Sequence, residues 1–140
     1  MKNKKIIEVI VQFVKFGFVG AINTVLSYII TNTSYYVAHL NEQISNIIAF
    51  VITVFISYIL NNKFVFNKNN EKNKKRFSFK ALTKVYISYA FTGLLLTGIL
   101  LYIEERNIGI PHYIATLINL VITIPLNFLL NKFWAYKDKE

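Results

Sequence analysis

Carboxamides and hydroxyls set at helical spacing inside uncharged apolar stretches are the residues of this 140-residue chain with the most chemistry to offer. One series runs Asn46, Thr53, Ser57 and Asn61; a second runs Thr116, Thr123, Asn127 and Asn131, with Asn119 nearby. Steps of seven and four place each series along one helix face. Asn23, Ser27 and Thr31 repeat the pattern upstream, and Ser88 and Thr92 do so between the two. Such groups do not attack or abstract; they donate and accept hydrogen bonds. Inside hydrocarbon every one of them must find a partner, so four facing stripes would enclose a hydrophilic seam. The competing use is interhelical glue, worth about 0.6 kcal/mol per bond on average. For a single Ser or Thr glue is the commoner use. For Asn61 and Asn127 both uses stay open, because a carboxamide is costly to bury and both sit beside a cluster of cations.

Other chemistry is missing. No Asp or Glu is expected within a span, so paired carboxylates for acid–base work are lacking, as are a nucleophile with an adjacent base and metal-ligand spacing. His39 and His112 both fall at the expected outer edge, and no cysteine is present. Gly-rich phosphate loops do not occur. The sequence therefore offers no catalytic residue, metal site or cofactor site. A proton-coupled exporter of the small four-helix type is disfavoured as well, since such a pump needs an ionisable group in the membrane.

The elements that must carry the stripes follow from where charge is absent. No residue is charged from Phe16 to Asn41, Gln43 to Asn62, Val85 to Ile103 or Asn107 to Asn131. Each stretch approaches or exceeds the roughly 20 residues that cross a hydrocarbon core of about 30 Å. The expected fold is thus all-α and integral to the membrane, with four transmembrane helices. The basic lead-in (Lys2, Lys4, Lys5, Lys15) resembles a secretory signal, but the apolar run behind it is too long and no cleavage site follows, so it is expected to be retained.

Orientation follows from the cations. Four lie in the lead-in, eight lie between Asn62 and Lys84, and Lys132, Lys137 and Lys139 lie in the tail. Only Arg106 falls in the other connections, beside Glu42, Glu104 and Glu105. Lys and Arg near span ends stay on the cytoplasmic side, which predicts a multi-pass protein of the cell membrane with both termini cytoplasmic. The central run NKNNEKNKKR is basic enough to raise nucleic-acid binding. It lacks stacking aromatics, and attraction to anionic lipid, at about 1 kcal/mol per cation near the surface, accounts for it better.

An internal repeat organises the whole. VITVFISYILN from Val51 returns as VITIPLNFLLN from Val121, a shift of 70 residues, and both run on to aromatic edges, Phe64 and Phe66 in one and Trp134 and Tyr136 in the other. The chain reads as a single membrane domain, residues 1–140, built of two parallel-repeat helical hairpins: 14–66 and 84–136, joined by a basic cytoplasmic loop, 67–83. Parallel repeats recur in transporter folds. Gly17, Gly20 and Ala21 read as a smooth face for close packing, Pro111 as a first-turn proline, and Pro125 as either a kink opening a polar pocket or a passive bend.

FVKFGFVGAINT in the first span, LNNKFVF closing the second and LNFLLNKFWAY closing the fourth resemble the GtrA-like family of small membrane proteins. The resemblance runs from about Phe13 to Tyr136. Its motifs fall on Phe16, Gly20 and Asn23, on Asn61, Val65 and Phe66, and on Asn127, Phe128 and Trp134. Two positions depart from the pattern: Tyr136 stands where the family usually has Phe, and Thr116 where many members carry Lys.

What the resemblance implies is translocation of a polyprenyl-phosphate-linked sugar (undecaprenyl phosphate being the usual carrier) for glycosylation of a surface polysaccharide or teichoic acid. One membrane glycosyltransferase would make that lipid inside and another would use it outside. On this reading Lys63, Lys84 and Lys132 meet the phosphate, and Asn23, Ser57, Asn61, Thr116, Asn127 and Asn131 meet the sugar. No energy-coupling group is seen, so transport would run downhill. The small volume of a four-helix monomer favours a homo-oligomer. The alternative is a non-transporting anchor that recruits a glycosyltransferase through its basic loop.

Overall fold

The computed structural model describes residues 1–66 and 77–137. The run NKNNEKNKKR, and with it Lys68, Lys72, Lys74, Lys75 and Arg76, lies outside the described residues, as does Lys139. The described residues form four helices and no strand: α1 (Lys2–Tyr36), α2 (Glu42–Val65), α3 (Phe79–Ile108) and α4 (His112–Ala135). Their 35, 24, 30 and 24 residues all exceed the roughly 20 needed to cross hydrocarbon.

Local chemistry explains the helix ends. Asn41 caps α2, its Oδ1 accepting from the Ile44 amide at 2.8 Å, with Glu42 in the first turn; side-chain acceptors and acidic residues both suit the exposed amides of a helix start. Ser78 caps α3 in the same way, accepting from the Ala81 amide at 3.2 Å. The expected loop therefore ends earlier than residue 83, because Phe79 onward is already helical. α3 stops only at Gly109, which adopts a left-handed φ of 80°, a conformation that favours glycine. Pro111 stands at the N-cap of α4, one residue ahead of the expected first turn.

The chain divides into two compact units, Met1–Arg76 and Phe77–Glu140. Each is one helical hairpin. In the first, α1 and α2 pack side by side, and Phe16 of α1 meets Phe66 just past α2 with ring centroids 6.4 Å apart. The buried face of α2 runs Ser45, Ala49, Thr53, Ser57 and Asn61, a strict i, i+4 stripe. α1 contributes Phe16 and Val19. A methyl group added at Gly17 or Gly20 would meet nothing within 4 Å, so neither glycine is needed for the packing of α1 on α2 within this hairpin. In the second unit α3 buries Ala81, Leu82, Val85, Ser88 and Thr92, and α4 buries Ala115, Asn119, Thr123 and Phe128.

Both units are turned inside out by the standard of a water-soluble protein. Asn61, Thr92 and Asn131 are fully buried, while Phe18, Leu94 and Val121 are each about 70% exposed. Exposed apolar surface on this scale marks contact with lipid rather than water. The protein is a multi-pass membrane protein.

Candidate functional site

Each unit closes its second helix with the same turn. The Phe66 amide bonds to the Asn61 carbonyl at 2.9 Å and the Tyr136 amide to the Asn131 carbonyl at 2.9 Å. These are five-residue spans, one residue wider than an α-turn. Such π-helical insertions leave the regular ladder and often mark functional sites. Both begin on an asparagine, and the two asparagines are equivalent under the 70-residue repeat.

Their side chains are fully buried and only half satisfied. Asn61 Nδ2 donates to Ser57 Oγ at 3.1 Å, and Asn131 Nδ2 donates to the Asn127 carbonyl at 2.7 Å. In both residues Oδ1 is buried without a partner. An unpaired buried acceptor costs about 1–3 kcal/mol, and native structures keep few of them. Finding the same one in both copies identifies a feature rather than a packing accident. Asn23, half-buried on α1, also holds a buried and unpartnered Oδ1.

Asn127 behaves differently. Its Oδ1 accepts from Thr92 Oγ1 at 2.6 Å, tying α4 to α3. Thr92 also lies 2.9 Å from the Ser88 carbonyl, so its single proton is shared. Asn127 is therefore the interhelical glue of its unit, and the repeat pairs it with Ser57 while pairing Asn131 with Asn61.

Cations gather at the same helix ends. Lys63 Nζ lies 5.4 Å from the Phe64 ring centre and Lys132 Nζ lies 5.9 Å from that of Phe133. Lys84, at the start of α3, reaches the Trp134 carbonyl at 3.4 Å and lies 5.6 Å from the indole ring. Lys63 and Lys132 occupy the last turns of their helices, where positive charge complements the exposed carbonyls. Lys63 is exposed, Lys84 and Lys132 half-buried.

Thr116 lies elsewhere. It is exposed, with its hydroxyl on the His112 carbonyl at 2.8 Å. The inward polar series of α4 is Asn119, Thr123, Asn127 and Asn131, each four residues from the next, with Asn127 half-buried and the other three buried. That unbroken step of four was the signal available in the sequence. Pro125 is exposed, two residues before Asn127.

Helix α3 outruns the charge-free stretch: it continues through Glu104 and Glu105, and Glu104 is only 7% exposed. Asn119 Nδ2 donates to Glu104 Oε2 at 3.2 Å. The charge-free stretch ended at Ile103, but nothing between Ile103 and Gly109 stops a helix, and that was the signal to follow.

Comparison with known proteins follows the same outline. Residues 15–136 match the family model described as GtrA/DPMS, transmembrane domain. The bactoprenol-linked glucose translocase of Shigella phage SfII is 25% identical over 131 residues, covering 91% of this chain and 97% of the relative. The prophage bactoprenol-linked glucose translocase homolog of Escherichia coli K12 is 25% identical over 130 residues with the same coverage, and the translocase of Shigella phage SfX is 23% identical. No solved structure matches. With the family model spanning both hairpins and both asparagine turns, the chain belongs to the GtrA/DPMS transmembrane-domain family.

Proposed function

We propose that this protein translocates a polyprenyl-phosphate-linked sugar across the cytoplasmic membrane for glycosylation of a cell-surface polymer, a polysaccharide or teichoic acid. The observation that carries the reading is the repeated, buried and unpartnered carboxamide oxygen at Asn61 and Asn131, set beside lysines at the end of each hairpin. An acceptor without a donor suits sugar hydroxyls, and ammonium groups suit the phosphodiester. In the first unit Lys63 meets the phosphate and Asn61 the sugar, with Asn23 and Ser57 assisting; in the second Lys84 and Lys132 meet the phosphate and Asn131 the sugar. Relatives spanning nearly the same length are named as translocases of a bactoprenol-linked glucose, which supports a lipid-linked sugar as the cargo.

The test is leaflet exchange. In proteoliposomes loaded with polyprenyl-phosphate-glucose, the wild-type protein should make the inner-leaflet pool available to an external probe at least ten times faster than protein-free vesicles. Equal rates would refute the proposal.

Both termini lie in the cytoplasm on this reading, so the sugar lipid meets the lysines where a membrane glycosyltransferase makes it. Reporters fused at the C-terminus should register cytoplasm, and reporters inserted at Asn41 and Asn107 should register the outside. Opposite sides for the two chain ends would break the parallel-repeat scheme. A second transferase would consume the lipid outside, and the exposed apolar faces leave room for a homo-oligomer.

A further inference from the structure

We infer that Glu104 and Asn119 form a binding site for a small monovalent cation, and that its occupancy is coupled to translocation; the coupling rests on the function proposed above, the site does not. Glu104 is 7% and Asn119 2% exposed, both on helices long and apolar enough to cross a membrane. The single hydrogen-bond partner of the carboxylate among the described residues is the Asn119 amide at 3.2 Å. A carboxylate buried in a membrane helix without a counter-charge is costly and is retained for use.

The charged and titratable neighbours do not supply the counter-charge. Arg106 lies over the Tyr102 ring, 5.2 Å from its centre. His112, at the start of α4, is joined to Glu105 instead. Within this unit, therefore, both nearby basic groups are turned to other partners.

A second observation points to the ligand. Asn119 Oδ1 is buried and has no partner. Its two carboxamide ends differ only by a rotation about the terminal bond, which would bring that oxygen to the Glu104 carboxylate at about the separation the amide nitrogen now has. Two oxygens so placed, one of them charged, fit a cation. Sodium is small enough for a site this enclosed. The surrounding turn of α3, Ile103–Ile108, is π-helical, the same departure seen at Asn61 and Asn131.

Coupling follows because a cation held between Glu104 and Asn119 would tie α3 to α4 where the two helices now meet through a single hydrogen bond at this point. A cation that binds the closed form and not the open one shifts the balance between them.

The experiment measures thermal unfolding of the purified full-length protein in detergent. Replacing choline by sodium at constant ionic strength and constant pH should raise the wild-type Tm by several degrees. Glu104→Gln, which keeps the shape, should abolish that response. Should that variant fail to fold, Asn119→Leu provides the same test. His112→Asn should retain the response, assigning it to Glu104 rather than the imidazole. A wild-type Tm indifferent to sodium, or a response that survives Glu104→Gln, overturns the site. In proteoliposomes, the ratio of exchange with and without a sodium gradient should exceed about threefold for wild type and fall to one for Glu104→Gln. A ratio of one for wild type overturns the coupling. A Tm response in a protein that moves no sugar lipid removes the proposed function and leaves the site standing.

Discussion

Asn61→Leu and Asn131→Leu should each cut surface glycosylation at least tenfold while leaving the amount of protein in the membrane unchanged or higher. Leucine keeps asparagine's number of side-chain heavy atoms and its branching at Cγ, though its methyl groups are bulkier, and removes the buried oxygen that has no partner. What is lost is one hydrogen bond, to Ser57 Oγ in one case and the Asn127 carbonyl in the other, worth about 1 kcal/mol net. What is relieved is an unsatisfied acceptor costing about 1–3 kcal/mol. A residue kept for stability would show the opposite balance. A tenfold loss of rate corresponds to about 1.4 kcal/mol of transition-state stabilisation, within reach of one hydrogen bond to a sugar hydroxyl. Asn127→Leu is the informative contrast. It strips Thr92 of its cross-helix partner, so its effect should appear first as lower protein abundance. Normal glycosylation in both Asn61→Leu and Asn131→Leu would end the substrate reading of these asparagines, and so would loss of both variants from the membrane.

Deleting the protein should let sugar-linked polyprenyl phosphate accumulate in the cytoplasmic leaflet, several-fold above the wild-type pool. A translocase acts after the lipid has been made, so its absence blocks consumption and leaves synthesis running. An anchor that holds a glycosyltransferase in place would give the reverse, since the lipid would no longer be made. The two outcomes differ in sign, so extraction and quantification of the lipid pool decides between them. Complementation sharpens the result. A variant with Asn61 and Asn131 both replaced by leucine should fail to lower the pool. Depletion in the deletion strain, corrected by that same variant, would mean the buried carboxamides are dispensable and the protein is an accessory subunit.

Four membrane helices and the 70-residue repeat were legible in the residues alone, although the polar stripes singled out Asn61 with Asn127 where the repeat aligns Asn61 with Asn131. Uncharged runs of such length have few other stable settings, and a repeat needs only comparison of the chain with itself. The rotation of each helix about its axis was not legible. Lipid is as apolar as leucine, so hydrophobicity does not separate the inward face from the outward one. Polar residues three apart compete for the same face: Thr116 and Asn119 both fitted the α4 stripe, and packing turned Asn119 inward and left Thr116 exposed. The fate of Glu104 was equally a matter of tertiary structure. Charge suggested that the span ended at Ile103, but backbone hydrogen bonding carries the helix to Gly109 and delivers the carboxylate to Asn119. The widened turns at Asn61 and Asn131 depend on which carbonyl each amide reaches at the end of a packed helix. Side-chain pattern specifies a helix there, and only the folded hairpin selects the five-residue closure that turns both carboxamides inward.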